Sequence, residues 1–141
     1  MESLDISSLP EQPLLLLDTA PIIYWLEDHP RFGPRFAPLF EAHGKGTVRF
    51  AVTSLTLAEV LTGPLQSNDE ALARRYRAVL ESWRMVDLNS DIADVAARLR
   101  ASLKLKLPDA VQAASALTIN ADALVTHDRD FSRLKSLRVI S

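Results

Sequence analysis

The chain is read most easily through its runs of apolar residues and the polar positions that interrupt them. Leu14–Leu17 is apolar at four successive positions with no polar alternation, a pattern that predicts a central parallel strand covered on both faces. Pro21 suits the first turn of a short helix reaching about Glu27, with Ile22, Ile23 and Leu26 turned inward. Pro30, Pro34 and Pro38 break up the next stretch, which has room for a short helix around Phe36–Ala42 ended by Gly44 and Gly46. Thr47–Thr53 mixes alternation with β-branched and aromatic residues and predicts a second strand. Ser54–Leu61 then reads as a helix capped by Ser54 and stopped by Gly63-Pro64. Helical spacing runs through Asn68–Trp83 and again through Asp91–Leu103, with Met85–Leu88 as a third strand between them. Pro108 opens another helix, whose small residues AVQAASAL allow close packing on a sheet. Ala123–Thr126 predicts a fourth strand and Leu137–Ile140 a short fifth. Strands alternating with helices imply an α/β fold with a mostly parallel sheet of four or five strands and right-handed crossovers. Residues 1–13, polar with two prolines, predict a flexible leader before one domain over residues 14–141.

Composition narrows the picture. A chain of 141 residues, 48% of them apolar, can bury one good core and little more. There is no cysteine, which excludes disulfides, thiolate nucleophiles and zinc-thiolate sites. No apolar run approaches the ~18 residues of a membrane helix, and residues 1–13 lack the features of a signal peptide; a soluble, cytoplasmic protein is expected. Charge is uneven. From Arg98 onward eight basic residues face four acidic ones, whereas residues 1–97 hold eight basic and fourteen acidic. The basic excess is either a phosphate-facing patch or an ordinary solvated helix face.

Candidate chemistry lies in four carboxylates beside apolar elements: Asp18, Glu59, Asp109 and Asp128. An open α/β sheet gathers the carboxyl ends of its strands along one rim, so residues distant in the chain can face one crevice. Acids crowded there repel one another, and a hard divalent cation with oxygen ligands removes that cost. Each acid also has a plainer reading. Asp18 can cap the following helix, Glu59 can be an exposed helical side chain, and Asp109 can be an ordinary first-turn acid. Asp128 competes with Asp130; Asp128 is preferred because Asp130 is well placed to cap the DFSRL segment while Phe131 enters the core. His29, His43 and His127 have no zinc-site spacing, although His127 is placed to touch a substrate. Tyr24 and Trp25 can stack on a base, but aromatic residues in a helix beside a sheet are more often core or interface.

Taken together, LLLLDTAPIIYWLE, TSLTLAEVL, LPDAVQAASAL and ALVTHDRDF resemble the PIN-domain ribonucleases, and among them the VapC toxins of bacterial and archaeal toxin–antitoxin pairs. The resemblance spans residue 14 to about 140. It implies a three-layer α/β/α PIN domain and an endoribonuclease dependent on Mg²⁺ or Mn²⁺. It places Asp18 in the opening strand-plus-Asp, Glu59 in the Ser/Thr-x₄-Glu helix, Asp109 in Asp-Ala-x-x-Ala-Ala and Asp128 in the Thr-x-Asp-x-Asp-Phe turn. Thr126 matches the hydroxyl that supports the last acid. Asp18 and Asp109 would be primary metal ligands, with Glu59 and Asp128 completing the site. Arg98, Arg100, Lys104 and Arg129 are candidates for positioning RNA. The implied partners are an RNA substrate, a cognate antitoxin whose tail occupies the acidic cleft, and a second copy in a homodimer. Two departures stand out: Ala20-Pro21 where relatives often carry Asn or Ser, and His127 where they frequently carry Asn. Neither alters a carboxylate. A phosphatase with Asp18 as nucleophile expects a second acid two residues later, where Ala20 stands. A dinucleotide binder lacks its Gly-rich turn. A catalytically silent scaffold would not need all four acids.

Overall fold

The computed structural model describes residues 6–141. Five strands form one fully parallel sheet: β1 (Leu14–Leu17), β2 (Arg49–Thr53), β3 (Arg84–Val86), β4 (Ala123–Val125) and β5 (Val139–Ile140), in the spatial order β3-β2-β1-β4-β5. Six helices connect them: α1 (Thr19–Leu26), α2 (Gly33–Gly44), α3 (Ser54–Gln66), α4 (Glu70–Glu81), α5 (Ser90–Leu103) and α6 (Leu107–Thr118). Because β1 lies at the centre, its side chains feed both layers. Leu14 and Leu16 join Ile92, Ala96 and the alanines of α6 on one face, whereas Leu15 and Leu17 join Ile22, Phe36, Val60 and Leu80 on the other. A strand buried on two faces has no use for polar alternation, which is why LLLL can form it.

The small-residue face of α6 is wholly buried at Ala110, Ala113, Ala114 and Ala116, so this helix lies close against the sheet. Phe131 is fully buried, as the sequence predicts. Residues 1–5 of the expected leader lie outside the described residues. Residues 6–13 form no helix or strand, and Ile6 and Leu9 pack against the α1/α2 side of the core.

Several element boundaries differ from expectation, among them α2, which runs over Gly33–Gly44, and β3, which ends at Val86. Thr53, the last residue of β2, caps α3 in place of Ser54: its hydroxyl accepts from the backbone N–H of Thr56 at 3.1 Å. The helix then passes through Gly63-Pro64 to Gln66. Pro64 is buried one turn beyond Val60 on the same apolar face; its missing N–H forfeits the bond to the Val60 carbonyl, and the helix ends two residues later. The 68–83 helix is shorter than its periodicity, because Asp69 caps it at one end and the Ser82 hydroxyl closes the other on the carbonyl of Val79.

Chain order runs from β1 outward through β2 and β3, then returns to pair β4 on the opposite side of β1. The two connections leaving β1 and β4 therefore part from each other, and a crevice opens at their carboxyl ends.

Candidate metal centre

Asp18 is the first residue past β1, and its backbone N–H still donates to Val125 across the ladder at 2.8 Å. Its side chain caps α1 through the N–H of Thr19 at 2.9 Å, so the capping role foreseen for it is real. The same oxygen, Oδ1, accepts from Gln112 Nε2 at 3.0 Å, and Oδ2 accepts from the Thr126 hydroxyl at 2.8 Å. Three donors from α1, α6 and the end of β4 thus fix one carboxylate. Thr126 is fully buried, and its oxygen also accepts from the N–H of Asp128 at 3.0 Å. One hydroxyl thereby ties Asp18 to the loop that carries Asp128.

In that loop the expected role of Asp128 in the acidic group stands, but the cap expected of Asp130 does not. Asp128, not Asp130, caps the short 3₁₀ turn over Arg129–Arg133, accepting from the N–H of Asp130 at 2.9 Å. Asp130, which also meets Arg133 at 3.9 Å, joins Asp109 and Asp128: one ligand oxygen from each lies within 4.8 Å of the other two.

Asp109 stands in the first turn of α6. Its Oδ2 is buried and has no hydrogen-bond partner. Burial, then the carboxylates of Asp128, Asp18 and Asp130, push its carboxyl up to about 6, against a small opposing effect of Lys106. A buried, unpartnered carboxylate oxygen facing three other acids is costly as it stands. An all-oxygen donor set of this kind fits a hard divalent cation; Asp109, Asp128 and Asp130 come close enough together to hold one, and Asp18 stands beside that group without belonging to it.

Glu59 is exposed on α3, as its plainer reading had it, yet it lines the same cleft. A chain of hydrogen bonds holds it. The Thr53 hydroxyl bonds Gln112 Oε1 at 2.7 Å, Gln112 Nε2 bonds Thr56 Oγ1 at 2.7 Å, Thr56 and Thr19 hydroxyls meet at 2.9 Å, and Thr19 reaches Glu59 Oε1 at 3.1 Å. Proton inventory fixes every direction. The amide oxygen of Gln112 only accepts, so Thr53 donates to it; Glu59 only accepts, so Thr19 donates to Glu59 and must accept from Thr56. Gln112, 1% exposed, is the hub, since its two N–H groups go to Asp18 and Thr56.

Sequence reasoning passed over Gln112, Thr19, Thr53 and Thr56. The signal for Gln112 was present: it is the one amide in a run of small residues and stands three positions after Asp109, on the same helix face.

Together Asp18, Glu59, Asp109 and Asp128 line one cavity of about 780 Å³, with Tyr24, Gln112, His127 and Arg129 also on its wall. Tyr24 and His127 are joined by a hydrogen bond between the phenol oxygen and Nδ1 at 3.1 Å. Burial, then Arg35, Arg129 and Arg31, hold His127 below its ordinary range and so favour the neutral ring. Trp25 is elsewhere, stacked on Phe40 at 4.2 Å. Of the four basic residues singled out, only Arg129 reaches the cleft; Arg98 pairs with Asp94 on α5, Arg100 lines a groove beside Leu88 and Leu107, and Lys104 terminates α5. No helix among the described residues is long and apolar enough to cross a membrane.

A model of the PIN domain matches residues 15–137. No curated protein sequence matches the chain. Among solved structures, a toxin–antitoxin complex from Klebsiella pneumoniae is 26% identical, with 90% of this chain and 96% of that chain covered and a TM-score of 0.70. The VapBC-1 structure from nontypeable Haemophilus influenzae is 25% identical, covers 89% and 96%, and gives a TM-score of 0.71. VapC20 of Mycobacterium tuberculosis, described as a Sarcin-Ricin loop cleaving toxin, shares the fold at 15% identity, 84% and 92% coverage and a TM-score of 0.68.

Proposed function

Because the chain belongs to the PIN-domain family, we propose that it is the toxin of a toxin–antitoxin pair, an endoribonuclease that hydrolyses RNA phosphodiester bonds with Mg²⁺ or Mn²⁺. The observation that carries this reading is the unpartnered, buried Oδ2 of Asp109 within the group formed with Asp128 and Asp130 and beside the fixed carboxylate of Asp18. When bound, a divalent cation supplies a Lewis acid for the phosphate and makes water a competent nucleophile near neutral pH.

The residues of the chain set the geometry for that chemistry. Asp18 presents its carboxylate in one orientation because Thr19, Gln112 and Thr126 each hold it. Asp109 approaches from α6, and Glu59 is held toward the cleft by the hydroxyl relay. Asp128 reaches the cleft from the loop after β4, with Asp130 beside it in the acidic group. No nucleophilic side chain is required, so no covalent intermediate is proposed.

Partners follow from the same reading. The Klebsiella structure is described as a toxin–antitoxin complex, and we infer a cognate antitoxin here, whose cationic side chain would be matched by this acidic cleft. A homodimer is inferred from exposed apolar side chains such as Trp25 and Leu65, at 36% and 43%; light scattering that returned a strict monomer at high concentration would argue against it.

RNA cleavage assayed with Mn²⁺, with Mg²⁺ and with EDTA tests the central reading. Cleavage should need the ion and fall at least about a hundredfold in Asp18→Asn and in Asp109→Asn. Undiminished cleavage in EDTA, or in both variants, would overturn it.

A further inference from the structure

Beside the acidic cleft, and sharing His127 and Arg129 with it, lies a second and smaller cavity of opposite character. Its walls are Arg31, Phe32, Arg35, His127, Arg129 and Ser141, and its volume is about 260 Å³. We propose that this pocket binds a phosphate group of the RNA strand next to the bond being cut. The proposal rests on the ribonuclease reading and adds to it a place for the neighbouring nucleotide.

The chain as a whole gives RNA little reason to approach. Its formal net charge is −2, and the cleft itself is lined by carboxylates that repel a polyanion. Binding must then come from fixed cations close to the acids, where field lines are focused. Arg31 and Arg129 meet that need from two sides, Arg31 from the turn before α2 and Arg129 from the turn after β4. Neither takes part in a salt bridge among the described residues, whereas Arg77, Arg98 and Arg133 each pair with a carboxylate.

The pocket is organised before any ligand arrives. The Arg31 guanidinium lies 5.0 Å from the Phe32 ring centroid, which restricts the side chain without using its donors. Phe32 in turn packs 4.5 Å from the His127 ring, and Tyr24 fixes that ring through its hydrogen bond. Arg35 is spent differently: it donates to the carbonyl oxygen of Ser141, so it holds the wall and adds charge. A planar guanidinium with forked donors suits phosphate better than an ammonium does. The volume lies below the ~300–1,000 Å³ of ordinary small-molecule pockets and fits one phosphate with part of its sugar. Because Arg31 already covers Phe32, phosphate binding is favoured over base stacking there.

The experiment is done without metal, so that binding and cleavage are read separately. Wild-type protein in EDTA is titrated with the trinucleotide UpUpU bearing hydroxyl ends, with its 5′-phosphorylated form and with inorganic phosphate, while arginine Nε–Hε resonances are followed by NMR. The Arg31 and Arg129 resonances should move, and the double variant Arg31→Gln/Arg129→Gln should bind the trinucleotide at least about tenfold more weakly. The slope of log affinity against log salt should shrink by about 0.7 for each phosphate that no longer meets an arginine. Response to the hydroxyl-ended trinucleotide assigns the pocket to a backbone phosphate, as proposed; response only to the 5′-phosphorylated form or to inorganic phosphate assigns it to a terminal phosphate and overturns the backbone assignment. Unmoved resonances, equal affinity in the double variant, or tighter binding of a hexaglutamate peptide than of any phosphate probe would overturn the proposal as well. Metal-dependent cleavage by wild type is scored independently: cleavage that persists with unchanged KM in the double variant sinks the pocket and leaves the nuclease standing. Arginine-dependent trinucleotide binding without any cleavage does the reverse.

Discussion

Gln112 shows how much one buried side chain can decide. Its amide contributes two donors and one acceptor to Asp18, Thr56 and Thr53 in a place where water has no access. Replacing it with methionine keeps the volume but leaves the Thr53 hydroxyl without its acceptor and Asp18 Oδ1 with the Thr19 N–H alone. Unsatisfied buried groups of this kind cost about 1–3 kcal/mol, so Gln112→Met should lose about 2 kcal/mol in chemical denaturation. Loss of the support behind a metal ligand typically weakens binding about 10- to 100-fold, which Mn²⁺ calorimetry would read. A stability loss with unchanged Mn²⁺ affinity would confine Gln112 to the fold. Asp109 makes a complementary case. Its carboxyl, up near 6 in the folded state, binds its proton more tightly than an ordinary aspartate at 3.8, so between those values the native state carries more protons than the unfolded one. Stability of the metal-free protein from this group must therefore fall as pH rises through about 4 to 6. With partial exposure discounting the shift, the effect is about 1 kcal/mol. Asp109→Asn should remove it, leaving the metal-free variant the more stable protein at pH 7 and equal or weaker at pH 4; a wild-type denaturation midpoint that climbs over this window would contradict the assignment.

Among the elements, the two helix caps at Thr53 and Asn89 separate local from networked contributions. Asn89 accepts from the N–H of Ile92 and caps α5 with no link to the acids. Thr53 caps α3 and also donates to Gln112. Asn89→Ala should thus cost about 1 kcal/mol, the usual value of a cap, whereas Thr53→Ala should cost about 2 kcal/mol or more and weaken Mn²⁺ binding as well. Equal penalties and equal Mn²⁺ affinity would mean that the relay transmits nothing. These caps also show what a sequence can and cannot reveal. The strand at Leu14–Leu17 and the alanine face of α6 follow from period and residue size alone, and so does the emergence of Asp18 at a strand end. The cap at Thr53 was hidden because Ser54 beside it is an equally good capping residue, and only the register of β2 against β3, with Thr53 opposite Val86, decides which one leaves the sheet first. Asp128 takes the cap expected of Asp130 for a similar reason. Two acids two residues apart can each cap the same turn, and the choice falls to the Thr126 hydroxyl that binds the N–H of Asp128. Gln112 was missed because its partners lie 56, 59 and 94 residues away in the chain, beyond the reach of any local pattern.

On the scale of the whole molecule, the acids arrive from four separate segments: the end of β1, the middle of α3, the start of α6 and the loop after β4. An unfolded chain holds no such site, so a cation bound there stabilises the native state alone, by about 2.7 kcal/mol at a hundredfold excess over Kd. For a chain of 141 residues that corresponds to a rise in Tm on the order of 8 °C. The rise should be larger at pH 7 than at pH 5, because Asp109 must release a proton with its carboxyl near 6 before it can serve as a ligand. Asp18→Asn and Asp109→Asn should each abolish most of it, although they alter different elements of the fold. Arg31→Gln, in the neighbouring basic pocket, should leave it intact. The pattern distinguishes a site built by the fold from loose attraction of Mn²⁺ to an acidic surface: surface attraction would survive any one substitution, fade in moderate salt and show no step near pH 6. Differential scanning calorimetry of these three variants and the wild type, with Mn²⁺ and with EDTA at both pH values, would decide between them, and a salt-sensitive rise shared equally by all four proteins would remove the metal centre from the description of this chain.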